Sequence, residues 1–276
     1  MSHAALPTLF LSHGSPMWAL EPGASGPALT RWADGLRERL AAEGQPLRGI
    51  VIMSPHWMAR QPAVMTNAQP ATWHDFGGFP ESLYRLQYPA PGAPELAEQV
   101  LGLLQAAGVP AVPDAKRPLD HGAWVPLMHL FPQANVPVVQ VALPASAGPR
   151  EVLAMGQALA GLRGEGVLVI GSGSMTHNLG EFFSGMPQQD DPAAAYANEF
   201  SRWIEEVVAR ADVDALLDYR VRAPHAVRAH PTEEHFLPIF FALGAAGWGS
   251  DAAVAPNYLT REIMYRYLAM DAFALA

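Results

Sequence analysis

Val167-Leu168-Val169-Ile170-Gly171-Ser172-Gly173-Ser174-Met175-Thr176-His177-Asn178-Leu179 is the stretch from which the rest of the chain can be read. The apolar run Val167 to Ile170 predicts a buried strand. It gives way to small residues and then to a histidine. Small residues let a ligand or another backbone come close. A strand that ends this way delivers one side chain, His177, to the rim of a pocket.

The arrangement recurs. Residues 8–11 predict a first strand that stops at Ser12-His13-Gly14-Ser15-Pro16, with His13 at its tip. Residues 49–53 predict a second, stopping at Ser54-Pro55-His56-Trp57. Shorter strands are expected over 62–66 and 109–112, and a clear one over 136–143. Helical spacing marks 26–43, with Leu29, Trp32, Leu36 and Leu40 on one face and Gly44 closing it. Further helices are expected over 94–107, 123–131, 149–162, 190–210 and 213–219. Asp120 stands where the cap of the helix over 123–131 would be. Another helix is expected over 233–243, with Thr232 as its cap and acidic residues in its first turn. Residues 258–273 read as a final strand. Residues 69–91, rich in Gly, Pro and aromatics, have the texture of a pocket wall or a packed loop.

Strands and helices alternate without a linker, a charge run or an internal repeat. The expected fold is therefore a single α/β domain: a central, largely parallel (mixed) sheet flanked by helices on both faces. Ligands of such sheets bind outside the carboxyl ends of the strands, where His13, His56 and His177 would lie.

Composition narrows the chemistry. The chain has 276 residues, half of them hydrophobic, 16% charged, with a net charge of −9. That suits a compact enzyme-like body and gives nucleic acid no basic surface. With no cysteine, disulfides, thiolate metal sites and a cysteine nucleophile are excluded. No signal peptide is read at the N-terminus, no apolar run approaches the ~20 residues of a membrane helix, and a cytoplasmic setting is expected. The 10 histidines are the remaining place for metal chemistry, since neutral imidazole suits iron and zinc alike. His13, His56 and His177 share one edge, and the helix start near Thr232 could bring Glu234 or His235 there. Two histidines plus a third N or O ligand leave coordination places open, which catalysis requires.

At this point the residues resemble a known family. Phe10-Leu11-Ser12-His13-Gly14-Ser15-Pro16-Met17, Ser54-Pro55-His56-Trp57, His74-Asp75-Phe76-Gly77-Gly78-Phe79-Pro80, Tyr88-Pro89-Ala90-Pro91-Gly92 and Asp120-His121-Gly122-Ala123-Trp124 carry the likeness. So do Gly171-Ser172-Gly173, His177-Asn178-Leu179 and Pro231-Thr232-Glu233-Glu234-His235-Phe236-Leu237-Pro238. Together they resemble the class III extradiol ring-cleavage dioxygenases of the protocatechuate 4,5-dioxygenase type, and most closely the 4,5-DOPA dioxygenase-like branch.

The resemblance implies that residues 1–276 form one extradiol-dioxygenase-like catalytic domain. It would insert O2 into a DOPA-like catechol next to the diol, with a mononuclear non-haem Fe(II) site. Members of the branch are also found with Zn(II). The family's metal histidines fall on His13, His56 and His235. His177 falls on a further ligand or an acid/base, and His121 on a histidine that supports the site or acts in catalysis. Glu234 rivals His235 as the third ligand. Such chemistry needs a group that takes a proton from the incoming catechol and later returns one, a task suited to histidine. His177 is the first choice for it and His121 the second.

Around them, His74, Trp57 and Phe76 are candidate substrate-binding residues, with Phe79 a further ring-flanking side chain, and Arg228 could pair with a substrate carboxylate. His129 is expected on a helix, partly buried. His225 and His230 lie close to the last motif, and His3 is expected to be unstructured. The expected partners are a small aromatic diol and O2, with neither nucleic acid nor membrane, in a monomer or small homo-oligomer. A zinc hydrolase would use the same histidines to activate water, but no phosphate- or peptide-binding motif accompanies them. A non-enzymatic metal-binding protein would need no free acid/base, and so His121 and His177 together favour an enzyme.

Overall fold

In the computed structural model, residues 4–249 and 255–276 are described; His3 lies outside them. The strands in chain order are β1 (Thr8–Ser12), β2 (Gly49–Ala59), β3 (Ala63–Met65), β4 (Val112–Asp114) and β5 (Val138–Pro144). They continue with β6 (Val167–Gly173), β7 (Asn257–Thr260), β8 (Ile263–Met264), β9 (Leu268–Ala269) and β10 (Ala272–Leu275). Eight of them form one mixed sheet in the order β4-β3-β5-β2-β6-β1-β10-β7. Its centre, β5-β2-β6-β1, is all parallel; β3 joins β5, and β10 joins β1 and β7, antiparallel.

The helices are α1 (Ser25–Glu43), α2 (Glu81–Tyr84), α3 (Pro94–Ala106), α4 (His121–Leu130), α5 (Pro149–Ala158) and α6 (Leu179–Gly185). After them come α7 (Ala195–Ala209), α8 (Val213–Leu217), α9 (Tyr219–Arg222), α10 (Ala226–Ala229) and α11 (Pro238–Ala245). Successive strand side chains face opposite ways. Val51, Met53, Val167 and Val169 therefore enter a core shared with α3, α5, α7 and α11, while Ile50, Ile52, Leu168 and Ile170 enter one shared with α1 and α4. Burial on both faces explains why these strands read as unbroken apolar runs. The fold is the expected α/β one. No helix of the described residues is long and apolar enough to cross a membrane.

Several expected elements end elsewhere. The second strand does not stop at Met53. It runs on to Ala59, because its pairing with β5 slips between Ser54 and Met58 and the ladder resumes beyond a bulge holding Pro55, His56 and Trp57. The strand expected at 109–112 is β4, which pairs with β3 only from Val112. The helix expected from 190 starts at Ala195. The helix expected over 233–243 begins at Pro238, and Thr232 does not cap it: its hydroxyl donates to the Glu234 carboxylate at 3.0 Å. Proline suits the first helical turn, where its missing N–H costs nothing. The preceding backbone is engaged instead by the end of β6, for Ser174 N donates to the His235 carbonyl at 2.7 Å. The single strand expected over 258–273 is divided among β7, β8, β9 and β10.

Candidate metal centre

His13 follows β1 directly, and its backbone N–H donates to the Gly173 carbonyl, extending the contact with β6. His56 stands in the bulge of β2, which turns its side chain out of the ladder, as bulges beside functional sites do. His235 reaches the same place because β6 carries glycine where it passes beneath. A Cβ on Gly171 would lie 1.9 Å from the Pro238 carbonyl oxygen, and one on Gly173 2.3 Å from that of His235. His121 opens α4, capped by the Asp120 carboxylate, which accepts from Ala123 N at 3.2 Å. Gly122 has no room for a side chain either: a Cβ would meet Ser54 Oγ at 2.3 Å and His56 at 2.9 Å.

The nitrogens converge. His13 Nε2 lies 3.1 Å from His56 Nε2, which lies 3.3 Å from His235 Nε2. The outer partners settle two of the three tautomers. The Ser172 hydroxyl donates its single proton to the Gly122 carbonyl, and so it accepts from His13 Nδ1 at 3.0 Å. His235 Nδ1 donates to the Glu234 carboxylate at 3.0 Å. Both rings therefore present an unprotonated Nε2. A proton on His56 Nε2 could satisfy one of its two contacts and would leave the other as two lone pairs face to face. A cation among them satisfies all three. Ligands about 2.0–2.1 Å from a metal at angles between octahedral and tetrahedral sit roughly 2.9–3.4 Å apart, which the two distances match. Imidazole holding the metal by one nitrogen and an oxygen partner by the other is the usual arrangement of such sites.

Electrostatics agree. Burial, reinforced by the neighbouring histidines, holds His13 and His235 well below the usual imidazole range. Burial and His121 bring His56 down to about 3 against the opposing pull of Asp75. All three are neutral imidazoles at neutral pH, the form that binds metal.

Two other groupings can be drawn from the same cluster. His13, His56 and His121, and separately His177, Glu234 and His235, offer donor atoms within 4.8 Å of one another. The shortest contacts, however, join His13, His56 and His235. His121 instead makes its short contact with Asp75: its Nδ1 and its backbone N–H both donate to Asp75 Oδ1, at 3.0 and 2.9 Å. Burial pushes the Asp75 carboxyl up, but the hydrogen bond and charge of His121 outweigh it and leave the group below its ordinary value. His177 lies flat on His235, ring centroids 3.5 Å apart and planes 9° from parallel. Burial lowers its pKa to about 4, opposed by Glu234.

The other candidates are placed as follows. Phe76 is half-buried and meets the His121 ring edge-on at 5.5 Å, with Phe79 edge-on to it in turn. The His74 ring lies near Phe76, and its Nε2 donates to the Leu86 carbonyl at 3.0 Å. Trp57 is buried, its ring covered by the Arg117 guanidinium at 4.7 Å. Arg228 is exposed and held by Glu181 at 2.6 Å. His129 is on α4 against Trp18, His225 pairs with Glu199 at the surface, and His230 is fully buried with Nε2 donating to Met175. Asp75 and Ser172 carry no signal of their own in the sequence that marks them as site residues. Asp75 stands inside a quoted motif, and Ser172 between the two glycines of β6. A buried partner on a third segment leaves no periodic trace in sequence.

Comparison with known proteins points one way. A family model described as the catalytic LigB subunit of aromatic ring-opening dioxygenase matches residues 7–268. A 4,5-DOPA dioxygenase extradiol of Beta vulgaris is 40% identical over 258 residues, 93% of each chain. One of Escherichia coli (strain K12) is 35% identical over 247 residues, 89% of this chain and 87% of its own. A crystal structure of an uncharacterized protein from Escherichia coli K12 superposes with a TM-score of 0.75 at 27% identity, covering 98% of this chain and 100% of that one.

Proposed function

The chain belongs to the LigB family of aromatic ring-opening dioxygenases, and from that we propose that it opens a DOPA-like catechol beside its two hydroxyls, with O2 as co-substrate, at a metal held by His13, His56 and His235. The observation that carries the site is His56 Nε2 standing 3.1 and 3.3 Å from the Nε2 atoms of His13 and His235, whose tautomers are set by Ser172 and Glu234. We take the metal to be Fe(II) in the active enzyme, with Zn(II) able to occupy the same donors. When bound, it lowers the pKa of the diol and brings diol and O2 together.

The protein's own part is positioning and proton movement. His177 is read as the acid/base and not as a fourth ligand. The His177 ring is stacked parallel on the His235 ring, centroids 3.5 Å apart, so its one nitrogen lone pair lies in a plane alongside that of His235 and would not be aimed at an ion held by the His235 Nε2. Neutral and beside the metal, His177 can accept a proton from a catechol hydroxyl and return it later. His121 is the second proton-handling group: Asp75 fixes Nδ1–H and so directs Nε2 toward the site. Phe76 supplies an aromatic edge for the substrate ring. His74 supports Phe76 from behind, and Trp57 backs the pocket wall. Residues 1–276 act in this reading as one catalytic domain, a cytoplasmic monomer or small homo-oligomer needing neither nucleic acid nor membrane.

The test is anaerobic loading of metal-free protein with Fe(II), followed by O2 and a panel of catechols. Oxygen uptake with a coloured ring-opened semialdehyde is expected. No uptake with any catechol, together with ester turnover by the zinc form, would overturn the reading.

A further inference from the structure

Arg117 stands outside the histidine cluster yet touches three of the segments around it. Its side chain is only 10% exposed. One contact is to the bulge of β2: NH2 donates to the His56 carbonyl at 3.2 Å, and the guanidinium carbon lies 4.7 Å from the Trp57 ring. That carbonyl sits where the pairing of β2 with β5 slips, and Arg117 supplies it with a donor. A second contact is to the loop that carries Asp75: the same carbon lies 4.9 Å from the ring of Trp73, two residues before the carboxylate that holds His121. The third is to the start of α4: NH2 donates at 2.6 Å to Asp120, the completely buried cap of the helix whose first residue is His121. Gln140 of β5 donates to the same Asp120 oxygen. Arg117 is itself anchored, its N–H donating to Asp114 Oδ1 at 3.0 Å and its carbonyl accepting from Asn67 at 3.2 Å.

We propose that Arg117 is a positioning residue of the metal centre, setting the His56 bulge, the Asp75 loop and the His121 helix start in register with one another. The role needs a planar, several-pronged cation that can lie on indole rings while it donates sideways. Arginine is built that way, whereas the lysine ammonium is a point charge on a flexible stem. A buried ion pair is weak evidence for stability in itself. Here its geometry joins the strand of His56 to the helix start of His121, the second of the two proton-handling histidines. The inference rests on reading His13, His56 and His235 as the metal-holding set.

The test compares wild type with Arg117→Lys and Trp73→Leu, the latter leaving the Arg117–Asp120 pair intact. Zn(II) affinity of the metal-free proteins is measured by chelator competition, the absorption bands of the Co(II) forms report ligand geometry, and melting temperature reports folding. Partners of metal ligands typically matter by about 10–100-fold. Arg117→Lys is expected to weaken Zn(II) binding about tenfold and shift the Co(II) bands, and in the Fe(II) enzyme to lower kcat more than it raises KM. Trp73→Leu is expected to do the same to a smaller extent. A purely structural ion pair would lower the melting temperature and leave the zinc affinity and cobalt spectrum of the folded protein as in wild type, and that result overturns the proposal. If Arg117→Lys does not fold, wild-type zinc affinity and cobalt bands in Trp73→Leu overturn it alone. His56→Ala separates the two readings. Zinc binding lost there but unchanged in Arg117→Lys sinks this inference only; zinc binding unchanged in His56→Ala, or absent in wild type, sinks the triad as well.

Discussion

Replacing Asp271 by asparagine should make the protein more stable in alkaline solution and leave it nearly unchanged in acid. Asp271 is 3% exposed, and its Oδ2 is buried without a hydrogen-bond partner. Burial, reinforced by the charge of Glu205 and opposed by Arg261, raises its pKa from 3.8 to about 7. The group is therefore protonated in the folded protein between those values while it is ionised in the unfolded chain. A pKa raised on folding favours the fold fully below the unfolded value, and the benefit is lost as pH climbs to the folded value. At about 1.4 kcal/mol per pH unit, the loss between pH 4 and pH 8 is about 4 kcal/mol, reduced by whatever water reaches the carboxylate. Asparagine has the same shape and no charge to bury. Urea unfolding of the metal-free wild type and Asp271→Asn at pH 5, 6, 7 and 8 reads the difference directly. The variant's advantage should grow steadily up to pH 7 and then level off, with equal m-values. A difference that stays constant with pH would refute the reasoning, since it would mean that Asp271 keeps an ordinary pKa in the fold.

His177→Ala should reduce kcat of the Fe(II) enzyme at least 100-fold, the lower range for general acid–base groups, with Zn(II) affinity changed less than about threefold; loss of zinc binding would make His177 a ligand instead. Asp75→Asn keeps a hydrogen-bond acceptor but loses the charge beside His121, and a fall of about 10-fold or more in kcat is expected, with wild-type rates counting against the pair. Gly173→Ala drives a methyl into the His235 carbonyl, 2.3 Å from the ideal Cβ position. It should destabilise the fold by about 1–3 kcal/mol and weaken Zn(II) binding, checked by denaturation and chelator competition.

The readable parts of this protein are those with a local cause. β1, the first half of β2, β5 and β6 are legible because burial on both faces demands unbroken apolar runs. Helix α1 is legible from its period and its closing Gly44, which adopts the left-handed conformation with φ of 64°. Asp120 reads as a cap from position alone. Thr232 and the following glutamates imitate a helix start, yet α11 begins at Pro238. Their side chains are engaged elsewhere: Thr232 with Glu234, and Glu234 with His235. The bulge of β2 was hidden because Ser54-Pro55-His56 resembles a strand end, and only the pairing of Met58 and Ala59 with β5 shows that the strand resumes.

The sequence by itself determined the layered α/β fold and the set of histidines from which a metal centre would be drawn, because strand periods and strand-end residues are properties of short segments. Only the tertiary structure decided which of those imidazoles face one another. It set Ser172 and Glu234 behind His13 and His235, and Asp75 behind His121. It laid His177 flat on His235, and it set Arg117 against the His56 carbonyl, the Trp73 ring and Asp120. Those relations join residues as much as 179 positions apart. Tautomer, ring plane and ligand order depend on distance and direction between side chains, and no periodicity along the chain encodes them.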